Sequence, residues 1–267
     1  MKILVLGCGP AGLLAAHAAS VTGHDVKIAS KKRKSEMFGA QYLHSYIPQI
    51  DAGPGKSVDY KLVGTAEGYR QKVYGNDWSG QVSPDALGNV HVAWNIRRAY
   101  DELWDLYGSY VIDTTFTREA TPTFLRDNPT GADFVVNTIP APVLCINPEH
   151  QFLGQDVWAL GDAPERGVFN PVQVPPQTIV CNGEPDVGWY RTANVFGRST
   201  TEWPAKRKPP VEGVAQVVKP LKTTCDCWPD VLRLGRYGKW EKGVLAHEAY
   251  YDLESKLLHQ GVQGTLF

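Results

Sequence analysis

The stretch that most constrains this chain is its first thirty residues, MKILVLGCGPAGLLAAHAASVTGHDVKIAS. Lys2–Leu6 is a β-branched and leucine run with no polar break, as a strand covered on both faces requires. Gly7, Cys8, Gly9, Pro10, Ala11 and Gly12 then supply a G-x-G-x-x-G spacing where strand gives way to helix. Gly7 permits the tight turn, Gly9 lets backbone approach a pyrophosphate, and Gly12 lets the helix lie close to the strand. The helix predicted over Ala11–Thr22 aims its free N–H groups and positive dipole end at that pyrophosphate. Gly23 ends it, and Asp25–Ala29 returns as a second strand. A strand, glycine turn, helix and strand in this order form a cradle for a dinucleotide.

The usual cradle closes with an acidic residue at the end of its second strand, which takes the ribose hydroxyls. This chain has Ser30, Lys31, Lys32, Arg33 and Lys34 there. Ser30 retains a hydrogen bond to a ribose, while the cations suit a 2′-phosphate, so NADP stands beside FAD as an occupant. A solvated basic turn is the alternative for Arg33 and Lys34.

At 267 residues the chain buries one large core or two interleaved ones. Its 27 basic residues balance 28 acidic ones, which gives no support for a nucleic-acid coat. No cleavable leader and no membrane span is expected, and the predicted location is soluble, intracellular and cytoplasmic. Five cysteines at irregular spacing fit a reducing compartment. Cys225 and Cys227 are too close for an ordinary disulfide and have no matching second pair, so no metal site is expected.

Residues 35–55 are glycine- and proline-punctuated and predict an ordered loop. Lys56–Val63 reads as strand and Ala66–Tyr74 as a short helix, with Tyr60, Tyr69 and Tyr74 at the surface. Trp94–Tyr107 is helical by pattern: Ile96, Tyr100, Leu103, Trp104 and Tyr107 share a face. Tyr110–Asp113 and Ala132–Thr138 resemble further buried strands. From 151 to 220 the pattern shifts to short strand candidates, Val157–Leu160, Thr178–Cys181, Trp189–Phe196 and Thr200–Trp203, which predict an inserted antiparallel sheet. Gly243–Leu258 is again helical by pattern, with Leu245, Ala249, Leu253 and Leu257 on one face.

Four features in order, the glycine motif, ADFVVNTIPAP at 132–142, the β-rich insert and LGRYGKWEKGVLAHEAYYD at 234–252, resemble the FAD-dependent superfamily of amine oxidases and UDP-galactopyranose mutases. The resemblance implies a Rossmann-like, doubly wound α/β domain for FAD, assembled from 1–56, 91–142 and 225–267. It implies a small β-rich substrate domain from 57–90 and 143–224. It places Thr138, Ile139 and Pro140 against the dinucleotide, and Gly235 and Arg236 at the flavin ring. Gly243 and Val244 would stand at a helix N-terminus whose dipole steadies a reduced flavin. Gly39, Ala40, Gln41 and Tyr42 fall where this superfamily wraps backbone around pyrophosphate and ring.

The acidic ribose ligand is missing, and the chain is shorter than usual. Asp162 sits in a Gly-Asp pair that in another flavoprotein branch leads into a helix, but Pro164, Pro171, Pro175 and Pro176 follow here, so it is read as a turn residue.

A flavin carries the hard electronic step, so few catalytic residues are expected: His44 as proton donor, with Arg191 and Arg236. Tyr190, Arg191, Arg198 and Trp240 are the substrate candidates, Trp189 joining the aromatic wall, and His247 is a further structural or acid–base candidate. Cations and aromatic faces interleave over 189–208, where strand alternation sets Arg191 on the face of Trp189. That suits a small or nucleotide-like anionic substrate, with a nucleic-acid base as a weaker option. The functions left open are an FAD-dependent oxidoreductase, a non-redox mutase acting on a nucleotide sugar, and a non-catalytic FAD- or NADP-binding protein. The absence of a serine-hydrolase elbow, a zinc-protease motif and a P-loop argues against hydrolase and kinase chemistry.

Overall fold

The computed structural model describes residues 1–31, 33–39, 41–75, 87–161, 170–206 and 208–263, with side chains to 259. The strands are β1 (Lys2–Leu6), β2 (Asp25–Ser30), β3 (Lys56–Val63), β4 (Val90–Ala93), β5 (Val111–Asp113), β6 (Phe134–Asn137), β7 (Phe152–Leu160), β8 (Thr178–Asn182), β9 (Arg191–Val195), β10 (Arg198–Pro204), β11 (Val214–Thr223) and β12 (Val231–Arg233). The helices are α1 (Pro10–Val21), α2 (Ala66–Tyr74), α3 (Ile96–Tyr107), α4 (Ala120–Asp127), α5 (Ala141–Leu144), α6 (Gly235–Lys239) and α7 (Glu248–Gln263).

Two sheets divide the strands. The first is wholly parallel, in the order β12-β6-β1-β2-β5. Alternation along β1 explains its layers: Ile3 and Val5 pack with Leu13, Tyr100, Leu103, Tyr250 and Leu253, whereas Leu4 and Leu6 join Ala29 and Leu144 on the opposite face. Helix α1 is alanine- and leucine-rich on every side because α3 and α7 both pack against it. His17, inside that packing, bonds Tyr107 Oη at 2.9 Å through Nδ1 and the Pro48 carbonyl at 2.8 Å through Nε2.

The second sheet runs β11-β7-β10-β9-β8-β3-β4 and is antiparallel except where β3 lies beside β8. The chain crosses between sheets four times, after β2, β4, β6 and β11.

Several local expectations are corrected. Tyr69 is buried against Tyr190, and Tyr60 is half-buried with its hydroxyl 3.2 Å from that of Tyr42, so neither is a surface tyrosine. Trp189 precedes β9 and shares no strand face with Arg191. The last helix begins at Glu248, not Gly243: the chain turns at 243–247, and the Leu245 N–H donates to the Glu248 carboxylate at 3.1 Å, closing the helix start. Among the described residues no helix is long and apolar enough to cross a membrane.

Candidate functional site

Because the first sheet is parallel, the carboxyl ends of its strands open onto one edge, where α/β folds bind ligands at the switch in strand order. β1 is the switch here, flanked by β2 and β6. Gly7 takes φ +99°, and a Cβ on it would lie 2.8 Å from Thr138 Oγ1 and 2.9 Å from Ile139 Cγ2. A Cβ on Gly12 would come within 2.0 Å of the Gly7 carbonyl oxygen. A Cβ on Gly9 would meet nothing within 4 Å, and Gly9 caps α1 without a side-chain bond. Two glycines are thus filled by the protein itself, and the third faces open space at a helix N-terminus.

The neighbours of this loop are held to it. The Cys8 N–H donates to Ser30 Oγ at 3.2 Å, and Thr138 Oγ1 donates to the Leu6 carbonyl at 2.7 Å. Gly235, at φ +67°, passes so near α1 that a Cβ would stand 2.6 Å from that of Ala11, and Gly238 approaches the Asn137 carbonyl as closely. Pro140 is exposed at the start of α5. Tyr100, legible beforehand only as core, bridges the two loops: its hydroxyl accepts from the Lys34 N–H at 2.8 Å and donates to the Cys8 carbonyl at 3.0 Å. Tyr100→Phe is expected to lower stability by about 1–3 kcal/mol and to loosen dinucleotide binding, as urea denaturation and ligand titration of the variant would show.

The basic turn is partly spent elsewhere. Arg33 pairs with Asp101 and lies over the Trp104 ring, and Lys31 is exposed. Lys32, Ala40 and the Asp162 segment lie outside the described residues, as does Arg207.

A second constellation lies on the inner face of the other sheet. Glu202, 2% exposed, bonds Arg191 through Oε1 and Lys219 through Oε2, each at 2.5 Å. Lys219 Nζ also donates to Tyr190 Oη at 2.8 Å. The pairing follows from register, since β10 sets Glu202 directly opposite Arg191. Gly39 crosses this ion pair so tightly that a Cβ would touch Glu202 Oε1 at 2.1 Å. Burial pushes the Glu202 carboxyl up, but Arg191 and Lys219 outweigh it and hold it well below the carboxylate range. Burial and then Arg191 push the Lys219 ammonium down to about 7 against the pull of Glu202. Arg236 stands close enough that burial and Arg191 lower it too. The Nε atoms of Arg191 and Arg236 are buried without a hydrogen-bond partner among the described residues. Two guanidiniums and an ammonium poised near neutrality therefore face a single carboxylate, a balance that an anion would complete.

The remaining predicted residues separate. Arg198 pairs with Val195, four positions along the strand from Glu202 or roughly 13 Å, and lines a small pocket with Met37, Gly39, Gln41 and Arg97. Arg97, not singled out by the sequence, holds the carbonyls of Lys34 and Ser35 at 3.3 and 3.4 Å. Gln41 is exposed and donates to the Phe38 carbonyl. Tyr190 is fully buried, and Trp240 packs edge-on to Phe152 with its indole N–H on the Leu153 carbonyl, so both are enclosed by protein and form no open aromatic wall. Gly243 and Val244 lie in the turn ahead of α7.

His44 stacks on Tyr42 at 4.2 Å, with His247 at 6.0 Å and His91 at 5.9 Å. Burial, then His247 and His91, push its pKa down to about 4. A histidine so lowered is neutral at neutral pH, so the proton expected from His44 would come from its single ring N–H. Cys225 and Cys227, expected to lack a second pair, have one: Cys145 and His150 bring all four ligand atoms within 4.8 Å of one another.

A parallel sheet with a glycine loop at its switch point, joined to a second, largely antiparallel sheet, defines a Rossmann-like two-sheet α/β protein. Among solved structures that arrangement is similar to tetracycline destructase Tet(51), with a TM-score of 0.50 at 11% identity over 97% of this chain and 82% of that one. Further likenesses are to 2,6-dihydroxypyridine-3-hydroxylase from Arthrobacter nicotinovorans (TM-score 0.47, 12% identity, 98% and 89% covered) and peptidyl tryptophan dihydroxylase QhpG (TM-score 0.46, 13% identity, 99% and 68% covered). At such identity the likeness is one of fold. Tet(51) is not named as an amine oxidase or a mutase, the branches that the motifs resemble. No family model and no curated protein matches the chain.

Proposed function

We propose that the protein is an FAD-dependent oxidoreductase acting on a small or nucleotide-like anionic substrate. The proposed cofactor domain comprises 1–56, 91–142 and 225–267, and the substrate domain 57–90 and 143–224. The observation that carries the dinucleotide is the contrast within the loop, where Gly9 alone among the three glycines faces open space. FAD is favoured over NADP because Gly235 is pressed onto Ala11 of the loop and Gly238 onto the end of β6, while Arg236 between them reaches the Arg191–Glu202 pair, an addition that a simple nicotinamide domain does not need. Gly7, Gly9, Pro10, Ala11, Gly12 and Ser30 would hold the pyrophosphate and ribose, with Thr138, Ile139 and Pro140 beside them. Gly39, Gln41, Tyr42, Gly235 and Arg236 would hold the ring end. Bound FAD would supply electron transfer to and from the substrate. Arg191, Lys219 and Arg236 would orient an anion by charge-assisted hydrogen bonds, and the buried tyrosines would keep water from it.

The purified protein is expected to be yellow and to release flavin on denaturation. A colourless protein that binds NADPH tightly would overturn the FAD assignment. The same cations suit the diphosphate of a nucleotide sugar, which supports a non-redox mutase as the second reading. Turnover that requires prior reduction by dithionite and consumes no oxygen would establish it in place of the first.

A further inference from the structure

Away from the cradle, two loops far apart in sequence bring four soft or borderline ligands together. Cys145 caps α5, His150 lies in the turn before β7, and Cys225 and Cys227 lie between β11 and β12. His150 Nδ1 stands 3.4 Å from Cys145 Sγ and 3.5 Å from Cys227 Sγ. A tetrahedral zinc ion with Zn–S of about 2.3 Å and Zn–N of about 2.0–2.1 Å separates its nitrogen and sulfur ligands by about 3.6 Å. The observed spacings match that geometry.

The surroundings also fit a metal. Nδ1 faces the sulfurs and leaves Nε2 outward, where the Asp226 carboxylate lies at 3.4 Å, the pairing that commonly orients a ligating histidine. Asn147 Nδ2 lies 3.2 Å from the same nitrogen. The Arg233 guanidinium donates to Cys225 Sγ at 3.3 Å and to the Cys225 and Cys227 carbonyls at 2.8 and 2.6 Å. Three thiolates around a divalent ion carry one net negative charge, and Arg233 sits where it offsets that charge. Cys145 and Cys225 are buried, and neither they nor Cys227 take part in a disulfide.

We propose that Cys145, His150, Cys225 and Cys227 form a Cys3His site for one zinc ion. Four protein ligands leave no open position, so the ion is structural rather than catalytic. Its role follows from where the loops lie. One belongs to the connection from β6 out to β7 and the other to the connection from β11 back to β12, so the ion clamps the outgoing and returning strands of chain between the two sheets. The returning connection leads within a few residues to Gly235 and Arg236, so the clamp also positions the segment pressed against the glycine loop.

Elemental analysis of the purified full chain is expected to find about one zinc per protein. Cobalt substitution should give thiolate-to-metal charge transfer and the intense visible bands of a tetrahedral sulfur-rich site. His150→Ala and Cys227→Ser should each retain at least tenfold less zinc and melt at a lower temperature, whereas His150→Cys, which preserves four ligands, should keep the metal. The wild-type metal content and cobalt spectrum decide the matter even where a variant fails to fold. Protein that carries no zinc after expression in zinc-supplemented medium, stoichiometric iron in its place, a disulfide among these cysteines in reduced preparations, or full zinc retention by Cys225→Ser and Cys227→Ser would overturn the proposal.

Discussion

Glu202→Gln is expected to lower folding stability by about 3–5 kcal/mol at neutral pH, the range for removing one partner of a buried ion pair. The substitution keeps the side chain's shape but leaves Arg191 and Lys219, both largely enclosed, without their shared counter-charge. The effect should depend on pH in a defined direction. The folded carboxyl is held below its unfolded value, which is about 4.3 for a glutamate, so its contribution is complete above that pH and is lost as the pH falls towards the folded value. Urea unfolding of both proteins near pH 7 and again in the acid limb should show the gap narrowing on acidification. A deficit under about 1 kcal/mol, or one that stays constant with pH, would mean that the ion pair contributes little. The same geometry changes what Arg191→Ala should do. From sequence it is expected to weaken substrate binding by about 1.5–3 kcal/mol with flavin retained. With Glu202 left bonded to Lys219 alone, a loss of stability should now accompany that effect.

The second large effect separates two glycines of one motif. Gly12→Ala sets a methyl 2.0 Å from the Gly7 carbonyl oxygen and 2.9 Å from Thr138 Oγ1. The first of these is backbone, so α1 must withdraw from β1, and a cost beyond about 3 kcal/mol with loss of soluble protein is expected. Gly9→Ala meets nothing in the protein, so its melting temperature without ligand should match the wild type while its affinity for the dinucleotide falls about tenfold or more. Thermal melts of ligand-free protein and flavin titrations of each variant distinguish the two. Normal flavin affinity in Gly9→Ala would remove the main support for the cradle, and an unperturbed Gly12→Ala would disprove the close helix–strand approach.

The glycine loop and its flanking strands were legible because they depend on neighbours within thirty residues and on the special conformations of glycine. Helix α3 was legible from its apolar face in the same way. Strand β11 was not: Pro220 argues against a strand, and the structure accommodates it at a sheet edge with a register shift between Pro220 and Lys222. Lys219 was lost with it. Glu202 carried no local sign of its role, since a glutamate in Thr-Thr-Glu-Trp becomes notable only once register sets it opposite Arg191. The partners of Cys225 and Cys227 lie some eighty residues earlier, beyond the reach of spacing rules. The final helix was placed too early because Leu245 keeps the four-residue spacing through a segment whose backbone only turns.

The four crossings between sheets have a consequence for how the chain is made. The edge of β6 waits for β12, and the flank of α1 waits for α7, both of which emerge from the ribosome long after the segments they cover. The second sheet also closes late, since β8 must reach back to β3 and β11 is the last of its strands to be made. Until those segments arrive the nascent chain carries an open strand edge and a bare apolar helix face, the surfaces on which holding chaperones act. The yield of folded protein is therefore expected to rise with chaperone supply, which co-expression trials would show.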